Sequence, residues 1–142
     1  MTDSRQKGAA AERVVVNLVK DSLGDLIDVS TVKRNLDQYQ DSGCPDIIID
    51  NLFSLEVKHY KSGRWYKDAW LKQCRDAAAK LNMIPILVWR YDRMDFRATV
   101  PLYFVDRGFQ FEDEENFPTE GNGTDLLTME FDTCLMLMRE WL

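Results

Sequence analysis

Apolar residues recur along this chain with two different periods, and each change of period marks an element. In "AAAERVVVNLVKDSL", Ala11, Val15, Leu18, Val19 and Leu23 share one side of a 3.6-residue turn. A helix is therefore expected near residues 4–22, with Gly24 as its stop. "LIDVSTVK" (Leu26 to Lys33) alternates and is expected to be a first strand, and the polar "RNLDQYQDSG" reads as a loop. "DIIID" and "LFSLEVKHY" are strand-like runs around a turn at Asp50-Asn51, which predicts a hairpin. "KSGRW" reads as a loop.

Helical spacing returns from Lys67 to Leu81, with Ala69, Leu71, Ala77, Ala78 and Leu81 as apolar content. "MIPILVWRY" is apolar enough for a buried strand. "ATVPLYFVD" is another, and Pro101 points to an edge or a bulge. "EDEENFPTEGNG" reads as an acidic solvated loop. "FDTCLMLMREWL" closes the chain as an amphipathic helix capped by Asp132 or Thr133. Its apolar side (Leu135, Met136, Met138, Trp141, Leu142) suits a core or a subunit interface.

The order helix, three strands, helix, two strands, helix predicts an α/β fold with a central mixed five-stranded sheet flanked by helices. The 142 residues suit a single domain, 1–142. Its core is expected at about 4–105, an acidic loop at 112–124 and a C-terminal helix at 131–142.

Charge changes this picture in one respect. The net charge of −6 argues against a nucleic-acid partner, but the charge is unevenly spread. Residues 1–105 carry 16 Lys/Arg against 14 Asp/Glu, whereas residues 106–142 carry 2 against 10. Within the first part, Lys58, Lys61, Arg64, Lys67, Lys72 and Arg75 form a basic stretch, interleaved with Trp65, Tyr66 and Trp70.

No apolar run approaches the roughly 20 residues that span a bilayer. The N-terminus lacks the plan of a signal peptide, so a cytoplasmic protein without membrane contact is expected. Cys44, Cys74 and Cys134 are odd in number and far apart, which fits reduced thiols rather than disulfides or a zinc site. His59 is the single histidine and cannot build a His-rich metal site. A Ser/His/Asp triad has no GxSxG elbow to support it.

The charged residues on the predicted hairpin carry the candidate chemistry. Residues two apart in a strand share a face, so Glu56 and Lys58 project together while Val57 offers its carbonyl. With a turn near Asp50 to Leu52, Asp46 and Glu56 come close to opposite each other across the hairpin. Two carboxylates and a carbonyl make a hard, oxygen-rich pocket suited to Mg²⁺, with Mn²⁺ as a substitute. Carboxylates this close repel unless a cation neutralises them. A metal-activated water beside the Lys58 ammonium is suited to phosphodiester hydrolysis. The ordinary alternative is a surface ion-pair cluster of little consequence.

Pro45-Asp46, followed after nine residues by Glu56-Val57-Lys58, resembles the motif of the PD-(D/E)xK nuclease superfamily. "QKGAAAERVVVNLV" is similar to the first helix of archaeal-type Holliday junction resolvases, in which Glu12 would correspond to the metal-site glutamate. Gln73 resembles the glutamine that many members place beside the active site. The resemblance covers about residues 4–91 and leaves the acidic tail outside.

It implies a restriction-endonuclease-like core and a Mg²⁺-dependent endodeoxyribonuclease, most simply a homodimeric resolvase of four-way DNA junctions. It also implies roles. Asp46, Glu56, Val57 and Glu12 would hold metal. Lys58 would position water, and Gln73 would orient water or phosphate. Arg5 and Lys7 would grip phosphate, although a solvated terminus explains them equally well. Arg13, Lys61, Arg64 and Lys72 are further candidates for DNA contact. Trp65, Tyr66 and Trp70 suit base stacking and core or dimer packing alike.

Two other readings stand beside this one. A nuclease of the same fold could act on flap, single-stranded or duplex DNA. A non-catalytic interaction protein could use the acidic segment 112–125 against a basic partner.

Overall fold

The chain threads one five-stranded mixed sheet between two layers of helix. The computed structural model describes residues 4–35, 43–106 and 125–142, and the backbone alone of Ser4 and Arg5. The expected acidic loop 112–124 lies outside the described residues. Helix α1 (Ser4–Leu23) leads to β1 (Ile47–Ile49) and β2 (Phe53–Tyr60), then α2 (Asp68–Leu81), β3 (Ile84–Tyr91), β4 (Arg97–Pro101), the short α3 (Leu102–Val105), β5 (Leu126–Glu130) and α4 (Phe131–Arg139). The strands lie in chain order. β2 and β3 are parallel, joined by α2, and the other neighbours are antiparallel.

Alternation along the strands divides the core in two. Ile47, Ile49, Phe53, Leu55, Val57, Ile86, Val88, Ala98 and Val100 face α1 and α4, against Val15, Val19, Leu23, Phe131 and Met138. Leu87, Trp89 and Tyr91 face the other way and pack on Trp70 and Cys74 of α2. The Trp89 indole N–H, buried on that second face, donates to Thr99 Oγ1 at 3.0 Å.

The sheet has the expected five strands, four of them where the sequence places them and one formed by a different segment. Leu26–Lys33 is not a strand. Its centre, Val29–Thr31, is a 3-10 turn. The Asp28 carboxylate accepts from the Ser30 amide at 3.0 Å and from the Ser30 hydroxyl at 2.6 Å, and the Thr31 hydroxyl donates to the Asp28 carbonyl at 2.6 Å. These local bonds satisfy backbone groups that a ladder would otherwise use. The fifth strand is "LLTME", residues 126–130, which pairs with β4 from Arg97↔Glu130 to Pro101↔Leu126.

"ATVPLYFVD" splits at Pro101, where β4 ends and α3 begins. β4 is an interior strand, and Pro101 ends it where β5 is its one remaining neighbour. Pairing of β4 with β3 has already stopped at Thr99, so the missing N–H removes no bond there. In α2 the buried face is Trp70, Cys74, Ala77 and Ala78, while Leu81 is exposed.

Helix α4 starts after Glu130, with no side-chain cap from Asp132 or Thr133. The packing runs well past residue 105: Phe131, Cys134, Leu135 and Met138 are buried in the core shared with α1. Of the apolar side expected from the sequence, Met136 alone points to solvent. The Arg139 guanidinium grips both Asp25 oxygens at 2.8 Å and the Ser22 carbonyl at 2.7 Å. Met138→Ala should cost about 2–5 kcal/mol of stability, measured by denaturant unfolding. A loss within error of zero would show that α4 is not integral to the fold.

All three cysteines are free thiols, two of them buried. No helix among the described residues is long and apolar enough to cross a membrane.

Candidate active site

The β1–β2 hairpin sets the geometry of the site. Asp50 and Asn51 both take positive φ, 53° and 52°, and the Leu52 amide donates to the Ile49 carbonyl at 3.0 Å. Left-handed backbone at two successive positions is tolerated better by Asp and Asn than by most side chains. The strands pair as Ile49↔Phe53 and Ile47↔Leu55, so residues 50–52 form the loop and Leu52 is the extra residue that sets this register. One step further out, Asp46 comes opposite Glu56, as the spacing in the sequence predicts.

Asp46 sits just before β1, held on two sides. The Val57 amide donates to Asp46 Oδ2 at 2.8 Å. In a strand, the N–H and C=O of one residue lie on the same edge. The Val57 carbonyl is therefore on the Asp46 edge. The Asn35 amide donates to the Asp46 carbonyl at 2.7 Å, and the Asn35 side chain donates to the Pro45 carbonyl at 3.0 Å.

Glu56 is buried at 2% exposure and Asp46 at 7%. Glu56 Oε2 is enclosed without a hydrogen-bond partner. The Lys58 ammonium lies 3.8 Å from Glu56 Oε1 and donates to Gln73 Oε1 at 2.9 Å. Thus β2 and α2 together bring Asp46, Glu56, Lys58 and Gln73 to one place.

Glu12 arrives from α1, 6% exposed, and its charge bears on both Asp46 and Glu56. Its own carboxylate meets the Arg34 guanidinium at 3.3 Å. Among the described residues, no three acidic, histidine or cysteine side chains converge closely enough to hold a metal by themselves.

Burial is the main cause of the unusual protonation here. It pushes Glu56 up to about 9, helped by the charge of Asp46 and opposed by Lys58. It pushes Asp46 up to about 6, against the Val57 N–H bond and with the charge of Glu12. Desolvation and like charge both disfavour the ionised pair, and a divalent cation would reverse both. Two buried carboxyl groups, one oxygen without a partner and a carbonyl on the same edge fit a hard cation that keeps several waters.

A pH prediction follows from these shifts. A carboxyl whose pKa rises on folding favours the fold while protonated. That stabilisation is complete below the ordinary values of 3.8 and 4.5, and is lost as pH rises through about 6 for Asp46 and about 9 for Glu56. The metal-free protein should therefore melt at progressively lower temperature from about pH 5 to about pH 9. Mg²⁺ or Mn²⁺ should raise the melting temperature more at about pH 8 than at about pH 5. A metal-induced shift equal at both pH values is the contrary result.

The remaining candidates are placed as follows. The Lys7 ammonium is bound to Asp92 at 2.7 Å, and Asp92 also meets His59 Nε2 at 2.8 Å. Arg13, Lys61 and Arg64 are exposed. Lys72 is exposed and pairs with Asp76 at 3.0 Å, one helical turn away. The Arg5 side chain lies outside what is described.

Sequence reasoning missed Arg34 and Asn35, which approach the site through a bridge between Arg34 and Ile47. They stand in a polar run read as a loop, and nothing local marks them. A wide pocket beside this bridge, about 540 Å³, is lined by Lys33, Arg34, Asn35, Ile48 and Asp50 among others.

The hairpin thus sets Asp46 opposite Glu56, with Lys58 beside it and Gln73 on the following helix, the residues that the PD-(D/E)xK motif led one to expect together. The family model described as "Phage putative PDDEXK endonuclease" matches residues 3–141. The chain belongs to that family of endonucleases. No curated protein matches it. Among solved structures it is similar to Hjc, a Holliday junction resolvase of the archaeal hyperthermophile Archaeoglobus fulgidus. The identity is 13%, over 89% of this chain and 99% of that one, with a TM-score of 0.43.

Proposed function

We propose that this protein is a Mg²⁺-dependent endonuclease that hydrolyses phosphodiester bonds in DNA, acting on four-way junctions as a homodimer. One observation carries the catalytic reading. Two carboxyl groups are buried opposite each other with an unpartnered oxygen, Glu56 Oε2, and a lysine ammonium at their rim. A fold keeps so costly an arrangement only where function demands it.

Asp46, Glu56 and the Val57 carbonyl would hold the ion, with Glu12 at the margin of its shell. When bound, the ion acidifies an attacking water and offsets charge on the phosphate, and Mn²⁺ can replace Mg²⁺ in both respects. The Val57 N–H holds Asp46 Oδ2 in one orientation. Lys58 presents its ammonium to the phosphate oxygens, which gain charge as the bond to the leaving sugar oxygen breaks. Gln73 accepts from that ammonium at 2.9 Å and would orient the attacking water or the phosphate. Burial keeps competing solvent from the pair.

The junction reading rests on the first helix, whose Lys7-Gly8 and Ala11-Glu12-Arg13 are similar to archaeal-type resolvases. Two sites related by a two-fold axis would match the symmetry of a four-way junction. With Mg²⁺, a synthetic junction should receive symmetric paired nicks. The Asp46→Asn protein, or the wild type in excess chelator, should make none. Undiminished nicking by Asp46→Asn would overturn the assignment.

A further inference from the structure

The loop at residues 61–67 joins the strand that carries Glu56 and Lys58 to the helix that carries Gln73. It holds Lys61, Arg64 and Lys67 and no acidic residue, in a chain whose net charge is −6. Aromatic rings gather around it. Trp70, Trp89 and Tyr91 are buried and belong to the core. Trp65 and Tyr60 are not, at 50% and 42% exposure.

The fold holds these exposed rings in place. Gly63 lies so close to Tyr91 that a Cβ there would come within 2.3 Å of the ring. The Tyr91 hydroxyl donates to the Trp65 carbonyl at 2.6 Å. The Trp65 ring meets Trp89 edge-on, with centroids 5.5 Å apart, and leans on Tyr66 at the same distance. Tyr60 lies nearly flat on Trp70, at 5.1 Å and 12°. The Lys67 ammonium stands 5.6 Å from the Tyr60 centroid and 5.7 Å from that of Trp70. A large indole is thus held half in water on a pinned loop, next to the exposed cations Lys61, Arg64 and Lys67.

We propose that Trp65 is a stacking platform for an unpaired DNA base, and that Lys61, Arg64 and Lys67 hold the flanking phosphates. The site then favours DNA whose base faces are uncovered beside the cleavage point, as at the branch of a four-way junction or at a flap, over continuous duplex. A ring can stack only on a base face, and in a continuous duplex those faces are already covered by neighbouring pairs. The locally cationic loop favours a polyanion over a protein partner. This inference rests on the nuclease reading above for the nature of its ligand.

Binding separates the two readings. The full chain carrying Asp46→Asn is titrated without metal against two DNAs of one sequence, a continuous duplex and a duplex with a short single-stranded flap. The flap DNA should bind about 5- to 100-fold more tightly, the range expected for stacking one base. A 2-aminopurine at the first unpaired position should be quenched on binding. Adding Trp65→Ala should remove the preference and the quench, and Trp65→Phe should restore part of both. Equal affinity for the two DNAs, no binding to either, or a preference that survives Trp65→Ala would overturn the platform. If the preference appears but the wild-type chain with Mg²⁺ cuts neither these DNAs nor a four-way junction, the nuclease reading fails and the platform stands.

Discussion

Replacing Glu56 by glutamine is expected to stop cleavage and to stabilise the metal-free protein at the same time. The two effects share one cause. At neutral pH the fold forces Glu56 either to take up a proton or to bear an unsolvated charge beside Asp46. Glutamine has nearly the same shape and no charge, so that penalty vanishes. The gain should be on the order of 1–3 kcal/mol at about pH 8, read by denaturant unfolding in chelator.

The gain should fade towards about pH 4, where a glutamic acid is neutral in the folded and unfolded states alike. Cleavage should fall at least about 10³-fold, because the pair can no longer hold a divalent cation against the phosphate. A Glu56→Gln protein less stable than wild type at pH 8 would show that the buried carboxylate is already neutralised within the chain.

Removal of the Lys58 ammonium should separate chemistry from metal binding. Lys58→Met keeps the aliphatic stem, and the charge that faces Glu56 Oε1 at 3.8 Å and Gln73 at 2.9 Å is lost. The nicking rate should drop about 10²- to 10³-fold, the usual effect of deleting one preorganised group that meets developing charge. Ion uptake, followed by calorimetry, should persist or tighten, since a competing cation has gone. Asp46→Asn should lose both. If Lys58→Met abolishes ion uptake while Asp46→Asn retains it, the roles given to the two residues are reversed.

Much of the site is legible in the sequence because a hairpin is a local object. A turn near Asp50 to Leu52 and the alternation of β2 suffice to place Asp46 across from Glu56 and to put Lys58 on the same side as Glu56. Helical spacing likewise announces α1, with Val15, Val19 and Leu23 inward, and the residue types alone indicate a hard cation.

Other features depend on contacts between distant segments. Arg34 meets Glu12 across 22 residues, and Asn35 holds Pro45 across 10 and Asp46 beside it, contacts that no local pattern marks. Lys7 looks free in the sequence and is bound by Asp92 in the fold. "VST" alternates like a strand, yet Asp28 draws it into a 3-10 turn, while the less regular "LLTME" completes the sheet because β4 offers it an open edge. Trp65 could have been core or surface, and the close approach of Gly63 to Tyr91 decided it. Spacing along a chain fixes what neighbours in one element can do. Which elements meet is settled by packing and charge among residues far apart, where the energy of each contact depends on all the others.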